Sequence, residues 1–316
     1  MKDTVEILSK VLPVILLIIL GGFLRKARFI GQNTIGEFKK IIVNITLPAT
    51  LFLTFAKTTF ESRYIMIFIS VFLVCIIMLL LGTVLKKQLK HSNKYYPAIF
   101  SGFETGMMGY SLYAVVYGTA NVYKLALIDL GQVVFVFFVL VSYLQKLNGR
   151  SANAKELTLS FIKSPVILSI ILGITVSFTG DFSSISSPVV NSIFETLRLL
   201  SEMTMPIICI AIGYELKINL KGIGGPLLAT VIRMVLLLGM AYAINELVID
   251  RLLNLDDTFK IALYTMFLLP PPFVIPIYMN EKEEKNKQFI LNTLSISIIL
   301  SLLAFIVLIL TGTRTL

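Results

Sequence analysis

The chain has 316 residues, of which 56% are hydrophobic and 15% charged, with mean hydropathy +0.88 and formal net charge +10. A soluble domain carries nearer a quarter charged residues, whereas the apolar residues here come in runs of roughly 20, enough to cross a bilayer core as helix. Composition therefore excludes a soluble fold, and no Arg/Lys-rich soluble stretch is present to hold nucleic acid.

In chain order, the runs predict ten spans at about 5–24, 35–56, 65–85, 95–117, 122–145, 160–178, 188–214, 226–249, 258–279 and 287–310. The loops between them are short, so no separate soluble domain is expected. The first run lacks a small-residue cleavage site and is followed by more spans, unlike a signal peptide. Cys75 and Cys209 lie inside apolar runs, as small buried hydrophobes and not as a disulfide framework. Trp is absent, so Tyr95, Tyr96, Tyr113 and Tyr278 near span ends supply the interfacial aromatics.

Lys and Arg sort by side of the membrane. Eighteen fall on one side, including Arg25, Lys26, Arg28, Lys39, Lys40, Lys86, Lys87, Lys90, Lys94, Lys146, Arg150, Lys217, Lys221 and Lys282. Eight fall on the other, including Lys57, Arg63, Lys124, Arg198 and Arg314. The positive-inside bias makes the first side cytoplasmic, which leaves both termini outside a plasma membrane.

One phrase occurs twice. Pro13 to Gly21 reads PVILLIILG and Pro165 to Gly173 reads PVILSIILG, 152 residues apart. Further landmarks follow in the same order: Thr46-Leu47-Pro48 against Thr204-Met205-Pro206, and Asp129 against Asn292. Between them come helix breakers, Gly106 and Gly109 in span 4 against Pro270-Pro271-Pro272 and Pro276 in span 9. Five spans per half is odd, so the second half enters the membrane upside down. The pattern predicts an all-α membrane protein of two inverted five-helix repeats, residues 1–147 and 148–316, the plan common among secondary transporters.

The breakers point to the site. Three consecutive prolines remove three backbone donors and cannot sit in a regular helix. In hydrocarbon the freed carbonyls must be covered by protein or line a wet cavity. Broken spans at matching places in two inverted halves mark a substrate site near the midplane; the bland alternative is a simple kink, or in span 4 close glycine packing.

Charged residues inside the membrane narrow this further. A carboxylate at a helix centre costs about 2.5–3.5 kcal/mol on insertion scales, so Glu104, beside the break of span 4, should be protonated, paired, cation-bound or facing water. Asp129 and Arg233 are expected either as a mutually neutralising pair or in coupling. Arg233 could instead hold an anionic substrate as a bidentate donor. Glu202 and Glu215 are expected at span ends facing headgroups or loops. Asn44 and Thr46 flank Pro48 and either compensate its missing donor or contact substrate; Asn292 is the least expected of the span 10 polar residues to be a mere helix contact. The only histidine, His91, sits in a basic loop, and neither a metal-ligand cluster nor a phosphate-binding loop is present. No nucleophile-and-base set suggests an enzyme, and no cofactor is implied.

These residues resemble the auxin efflux carrier family, which includes plant PIN proteins and bacterial malate permease-like carriers. The start, VLPVILLIILGGFLRKARFI, resembles that family's first span and basic exit, and Ile41 to Phe52, IIVNITLPATLF, its N-x-x-x-P-x-x-L-F motif. Phe103 to Gly109, FETGMMG, resembles the family's F-x-N-T-G-F-x-G-x-P motif, with Glu104 where Asn is usual and Ser111 where Pro is usual. MPIICIAIGYEL and LLPPPFVIPIYM resemble its seventh and ninth spans. The resemblance implies the fold of bile-acid sodium symporters, with broken helices 4 and 9 crossing, a scaffold from spans 1, 2, 6 and 7, and an elevator-like transport domain from spans 3–5 and 8–10. It implies a carrier of small organic anions such as malate, with Asn44, Glu104, Thr105, Gly106, Gly109, Pro270, Pro271, Pro272 and Phe273 at the substrate. Glu104, Asp129, Arg233 and Asn292 would serve coupling or charge pairing. Coupling to protons through Glu104, or to sodium near Glu104 in a bile-acid-type symporter, both stay open, as does a homodimer. A membrane ligand sensor without transport is the expectation from a different class.

Overall fold

The computed structural model describes residues 2–58, 61–149, 153–178, 188–216, 222–279 and 283–312, side chains 2–11, 107, 311 and 312 excepted. Of the loop cations counted above, Arg150, Lys217, Lys221, Lys282 and Arg314 lie outside these residues. Every regular element among the described residues is helical. Among the described residues, six helical stretches are long and apolar enough to cross a membrane: Gln32–Ala56, Tyr64–Gln88, Thr119–Leu147, Pro188–Glu215, Gly224–Leu252 and Glu284–Leu310. A bent pair, α8 (Ala154–Ile162) and α9 (Pro165–Phe178), makes a seventh if counted as one span. The sequence predicts one run at 160–178, but the pair bends by 57°. Pro165 disfavours helix at the residue before it and is pre-set for the first turn of a new one.

Contacts divide the chain into two compact units, interleaved in sequence. Unit 1 holds residues 1–62, 106–126 and 159–216, and unit 2 holds 63–105, 127–158 and 217–316.

In unit 1, α1 (Lys2–Lys26) lies against α10 (Pro188–Glu215). The contact is backbone to backbone. A Cβ on Gly21 would come within 2.1 Å of the Ile210 carbonyl oxygen, and one on Gly213 within 1.9 Å of that of Ile18. Span 2 runs as α2 (Gln32–Ile41), a π-helical turn Ile42–Thr46 and α3 (Leu47–Ala56). Pro48 removes a donor just after that turn. The Asn44 amide is hydrogen-bonded to the Lys40 carbonyl at 2.8 Å, and Thr50 Oγ1 donates to the Thr46 carbonyl at 3.0 Å. Against α3 packs α9, where a Cβ on Gly173 would meet Phe55 Cβ at 2.8 Å and the Phe52 carbonyl oxygen at 2.9 Å. Thr50 also joins α3 to α10, at 3.1 Å from Thr204 Oγ1 and accepting from Ser201 Oγ at 2.9 Å.

The basic loop after α1 is tied to the end of α10. Arg25 donates to the carbonyls of Tyr214, at 2.9 Å, and Leu216, and Lys39 pairs with Glu215 at 2.6 Å. Cations at a helix carboxyl end satisfy its open carbonyls and its dipole together. Glu202 instead meets Arg198 one turn away on the exposed side of α10.

In unit 2, α4 (Tyr64–Gln88) is followed by a 3₁₀ turn, Tyr96–Phe100. Span 4 then runs without regular structure through 101–104, resumes as a π-helical turn, Thr105–Gly109, and continues as α5 (Tyr110–Tyr117); from Gly106 this stretch, with residues 122–126 of the next span, belongs to unit 1. This corrects the expectation that Gly106 and Gly109 break the span. Both stay helical, and the left-handed backbone falls at Gly102, with φ +69°. Span 5 comprises α6 (Val122–Val134), a π-helical stretch Phe135–Leu140 and α7 (Val141–Leu147). Next come α11 (Gly224–Ile244) and α12 (Asp257–Leu268), whose first turn is capped by Asp256 accepting from the Phe259 N–H at 3.1 Å. The prolines stop α12; the chain restarts as the single turn α13 (Val274–Ile277) and ends in α14 (Glu284–Gly312).

The glycine contacts of unit 1 give a paired test. Gly213→Ala must push α1 from α10 and should cost about 1–3 kcal/mol, as overpacking does. Gly36→Ala, in α2 with no heavy atom within 4 Å of the added carbon, should be neutral or stabilising by up to about 1 kcal/mol. Thermal unfolding in detergent checks this, and equal midpoints for the two variants would refute the contact.

Candidate functional site

Interrupting span 9 frees a run of backbone carbonyls, and each of three consecutive ones meets a donor from a different element. The Leu268 carbonyl accepts from Ser301 Oγ of α14, that of Leu269 from Arg233 Nη1 of α11 at 2.7 Å, and that of Pro270 from the Glu104 N–H at 2.9 Å. An open carbonyl in the bilayer core would cost several kcal/mol. Three elements thus converge on the break because the prolines leave these oxygens without helical partners.

The break of span 4 is treated the same way. The Gly102 carbonyl accepts from Arg233 Nη2 at 2.7 Å. Phe103 pairs through its N–H and its carbonyl with the Gln132 side chain, at 3.2 and 3.1 Å. Gln132 Nε2 also donates to Asp129 Oδ1 at 3.0 Å. Gly102 cannot be replaced, since its φ is positive and a Cβ would lie 2.7 Å from Pro272 Cγ.

Two charged side chains bond directly to the backbone of the breaks. The Glu104 carboxylate, 8% exposed, accepts from the Phe273 N–H at 2.7 Å. With the backbone bond to Pro270, Glu104 therefore joins the two breaks twice. The Arg233 guanidinium, 1% exposed, lies 5.5 Å from the centre of the Phe103 ring, which itself stacks on Phe267 at 4.9 Å. Hydrogen bonds to a charged partner are roughly twice as strong as neutral ones, which helps offset the desolvation of both groups.

The comparisons with known proteins agree on a class. The family described as membrane transport protein matches residues 6–158. The uncharacterized transporter MJ1031 of Methanocaldococcus jannaschii is 25% identical over 250 residues, which cover 75% of this chain and 79% of that protein. Residues 6–158, just under half of the chain, thus resemble the membrane transport protein family. The chain is a multi-pass membrane transporter, consistent with the auxin efflux carrier resemblance of its motifs. Glu104, Asp129 and Gln132 fall within the matched stretch; Arg233 and Pro270 to Pro272 lie beyond it.

Of the residues this transporter's sequence singles out, Glu104, Pro270, Phe273 and Arg233 are brought together at the paired breaks. Pro271 and Pro272 are buried there too, and Thr105 is buried with its Oγ1 lacking a partner among the described residues. Asp129 joins through Gln132, and the hydrogen bonds of Arg233 go to two carbonyls, a different use from the mutual pairing considered above. Asn292 Oδ1 accepts from Gln288 one turn away in α14. Asn44 is exposed on unit 1, bonded to its own helix. Sequence reasoning missed Gln132 and Gly102. A glutamine one turn after Asp129 in an otherwise apolar run was the available signal for the first.

Away from the breaks, a polar clasp closes one end of unit 2. Lys94 pairs with Glu283 at 2.6 Å, and Tyr95 Oη donates to Asn148 Oδ1 at 2.7 Å while the Asn148 amide donates to the Tyr278 carbonyl. Asn93 Nδ2 donates to the Asn286 carbonyl at 3.1 Å. His91 stacks on Tyr96 at 4.4 Å, and its Nδ1 accepts the Asn93 N–H at 3.2 Å, which requires that nitrogen to be unprotonated. Burial, then Lys86, pushes the imidazole below its ordinary value, and the hydrogen bond from Lys94 holds the Glu283 carboxyl below its own.

Two outcomes follow from this geometry. Gln132→Leu leaves Phe103 with an unpaired N–H and carbonyl, and should destabilise by about 2–3 kcal/mol or more, since each buried orphan costs roughly 1–3; thermal unfolding with Gln132→Glu as companion measures it. For His91 the folded value lies below the unfolded one, so its contribution is whole above pH 6.5 and is lost as pH falls from there through the folded value. His91→Phe, which keeps the ring stack, should flatten that step in a pH series of melting midpoints.

Proposed function

We propose that this transporter is a secondary carrier of small organic anions, malate-like dicarboxylates first among them, in the plasma membrane with both termini outside. The observation that carries the reading is the buried Glu104 carboxylate on the Phe273 N–H, between two interrupted spans that bond to each other. In the resting state Glu104 and Arg233 carry opposite charges at the breaks, with Asp129 joined to them through Gln132. Protonating Glu104 would release the Phe273 donor to a substrate carboxylate and leave Arg233 to neutralise it. One proton would then travel with each anion.

An inverted repeat draws support from the doubled phrase. Gly21 and Gly173 end its two copies, and each is a point of closest approach: span 1 against span 7, and span 6 against span 2. Exchanging the halves turns one contact into the other. Elevator movement of spans 3–5 and 8–10 against a scaffold of spans 1, 2, 6 and 7 draws support from unit 2, which gathers spans 3, 8, 9 and 10, most of span 5 and the break of span 4.

The test is uptake of labelled malate into proteoliposomes. An inward proton gradient of one pH unit should support roughly tenfold accumulation, because 1.4 kcal/mol is a factor of ten, and Glu104→Gln should abolish the response to that gradient. Uptake driven by sodium and indifferent to pH would replace this reading with a bile-acid-type symporter. Saturable binding with no accumulation of any anion would leave a ligand sensor.

A further inference from the structure

Carbonyl oxygens freed at helix breaks are the usual ligands of coupling cations inside membrane carriers. Around the two breaks here, five such oxygens are engaged by the protein's own donors: Leu268 by Ser301, Leu269 and Gly102 by Arg233, Pro270 by the Glu104 N–H, and Phe103 by Gln132. Two of the five, one from each interrupted span, are held by a single guanidinium at 2.7 Å each. Its Cζ lies over the Phe103 ring, 5.5 Å from the ring centre, where an aromatic face attracts a cation. Two carbonyl dipoles and a π face, with almost no exposure, are the ligand set of a dehydrated monovalent cation.

We infer that Arg233 is a tethered cation filling a carbonyl site built jointly by the two breaks, and that it stands where a free monovalent cation would otherwise bind. A fixed positive charge on those oxygens excludes sodium from them by occupancy and by repulsion. It also fastens both breaks to α11, so the interrupted segments of spans 4 and 9 move with span 8 as one body. Truncating the side chain should turn the filled site into an open one that accepts a small cation. The inference deepens the carrier reading by naming what replaces a coupling ion, yet its test is read in stability and stands apart from whether malate is moved.

Purified wild type, Arg233→Ser, Arg233→Met and Arg233→Lys are compared by thermal unfolding in detergent, in choline, sodium, potassium and millimolar guanidinium chlorides at matched ionic strength. Wild type should respond alike to all four salts. Arg233→Ser should melt lower and be raised saturably by guanidinium, and less by sodium or potassium, whereas Arg233→Met, which fills the space with an apolar chain, should not respond. If Arg233→Ser yields no folded protein, Arg233→Lys against Arg233→Met decides, and lysine must be the more stable because it keeps the charge. The inference fails if methionine equals or exceeds lysine, if folded Arg233→Ser ignores every cation, or if sodium saturably stabilises the wild type. Loss of malate uptake in all four proteins with the expected melting pattern would overturn the carrier reading and leave this one standing.

Discussion

Backbone polarity in hydrocarbon is the constraint on which unit 2 depends. A helix hides its carbonyls from lipid by bonding them internally, and where the prolines end α12 the carbonyls of Leu268 to Pro270 are left at or beyond its last turn. The chain answers with donors from three other elements, a hydroxyl from α14, a guanidinium from α11 and an amide from span 4. Each donor brings its own element with it. Because unmet carbonyls cost several kcal/mol in the bilayer core, the interruption that weakens one helix is what binds four segments together. Gly102, Phe103 and Gln132 extend the same logic to the other break, where a left-handed glycine lets the chain turn its carbonyl toward Arg233.

Unit 1 is held by the opposite means. Its contacts are close approaches of intact helices at Gly21, Gly173 and Gly213, with hydroxyl bonds between Thr50, Ser201 and Thr204. Small residues permit dispersion contact between backbones where lipid offers no hydrophobic drive for helices to associate. Two cations of this unit, Arg25 and Lys39, meet the last turn of α10 at the helix end. Glycine seams between helix backbones leave few polar groups to rearrange, whereas the two breaks of unit 2 hold many.

Much of this was legible in the letters. Apolar runs gave the helices, the prolines gave the stop of α12, and the cost of membrane charges singled out Glu104 and Arg233. What the letters could not give was which oxygen each donor would find. Glycine was a poor guide to the break of span 4, because Gly106 and Gly109 sit in a π-helical turn while Gly102, which carries the left-handed angle, was not singled out. Asp129 and Arg233 suggested a pair by charge alone. The fold sends the guanidinium to carbonyls instead, since a carbonyl pair freed by helix breaks competes for a cation as well as a carboxylate does, without a second charge to desolvate. Asn44 looked like a site residue from its motif, yet its amide turns back to Lys40 one turn earlier, a local bond that periodicity cannot reveal.

The two breaks are not equivalent, and the difference has a direction. Span 4 brings a carboxylate that reaches across to the Phe273 N–H, while span 9 brings only carbonyls and apolar rings to meet it. An anion is thus built in at the one described amide of the break that an incoming carboxylate could use, and a cation is built in at the carbonyls that an incoming metal ion could use. Both natural ligand positions of a membrane crossing are occupied by side chains of the chain itself. A carboxyl can be neutralised by a proton, whereas a guanidinium stays charged. The asymmetry between the two breaks is therefore one of charge chemistry: under the carrier reading proposed above, the built-in anion is the one a proton can neutralise.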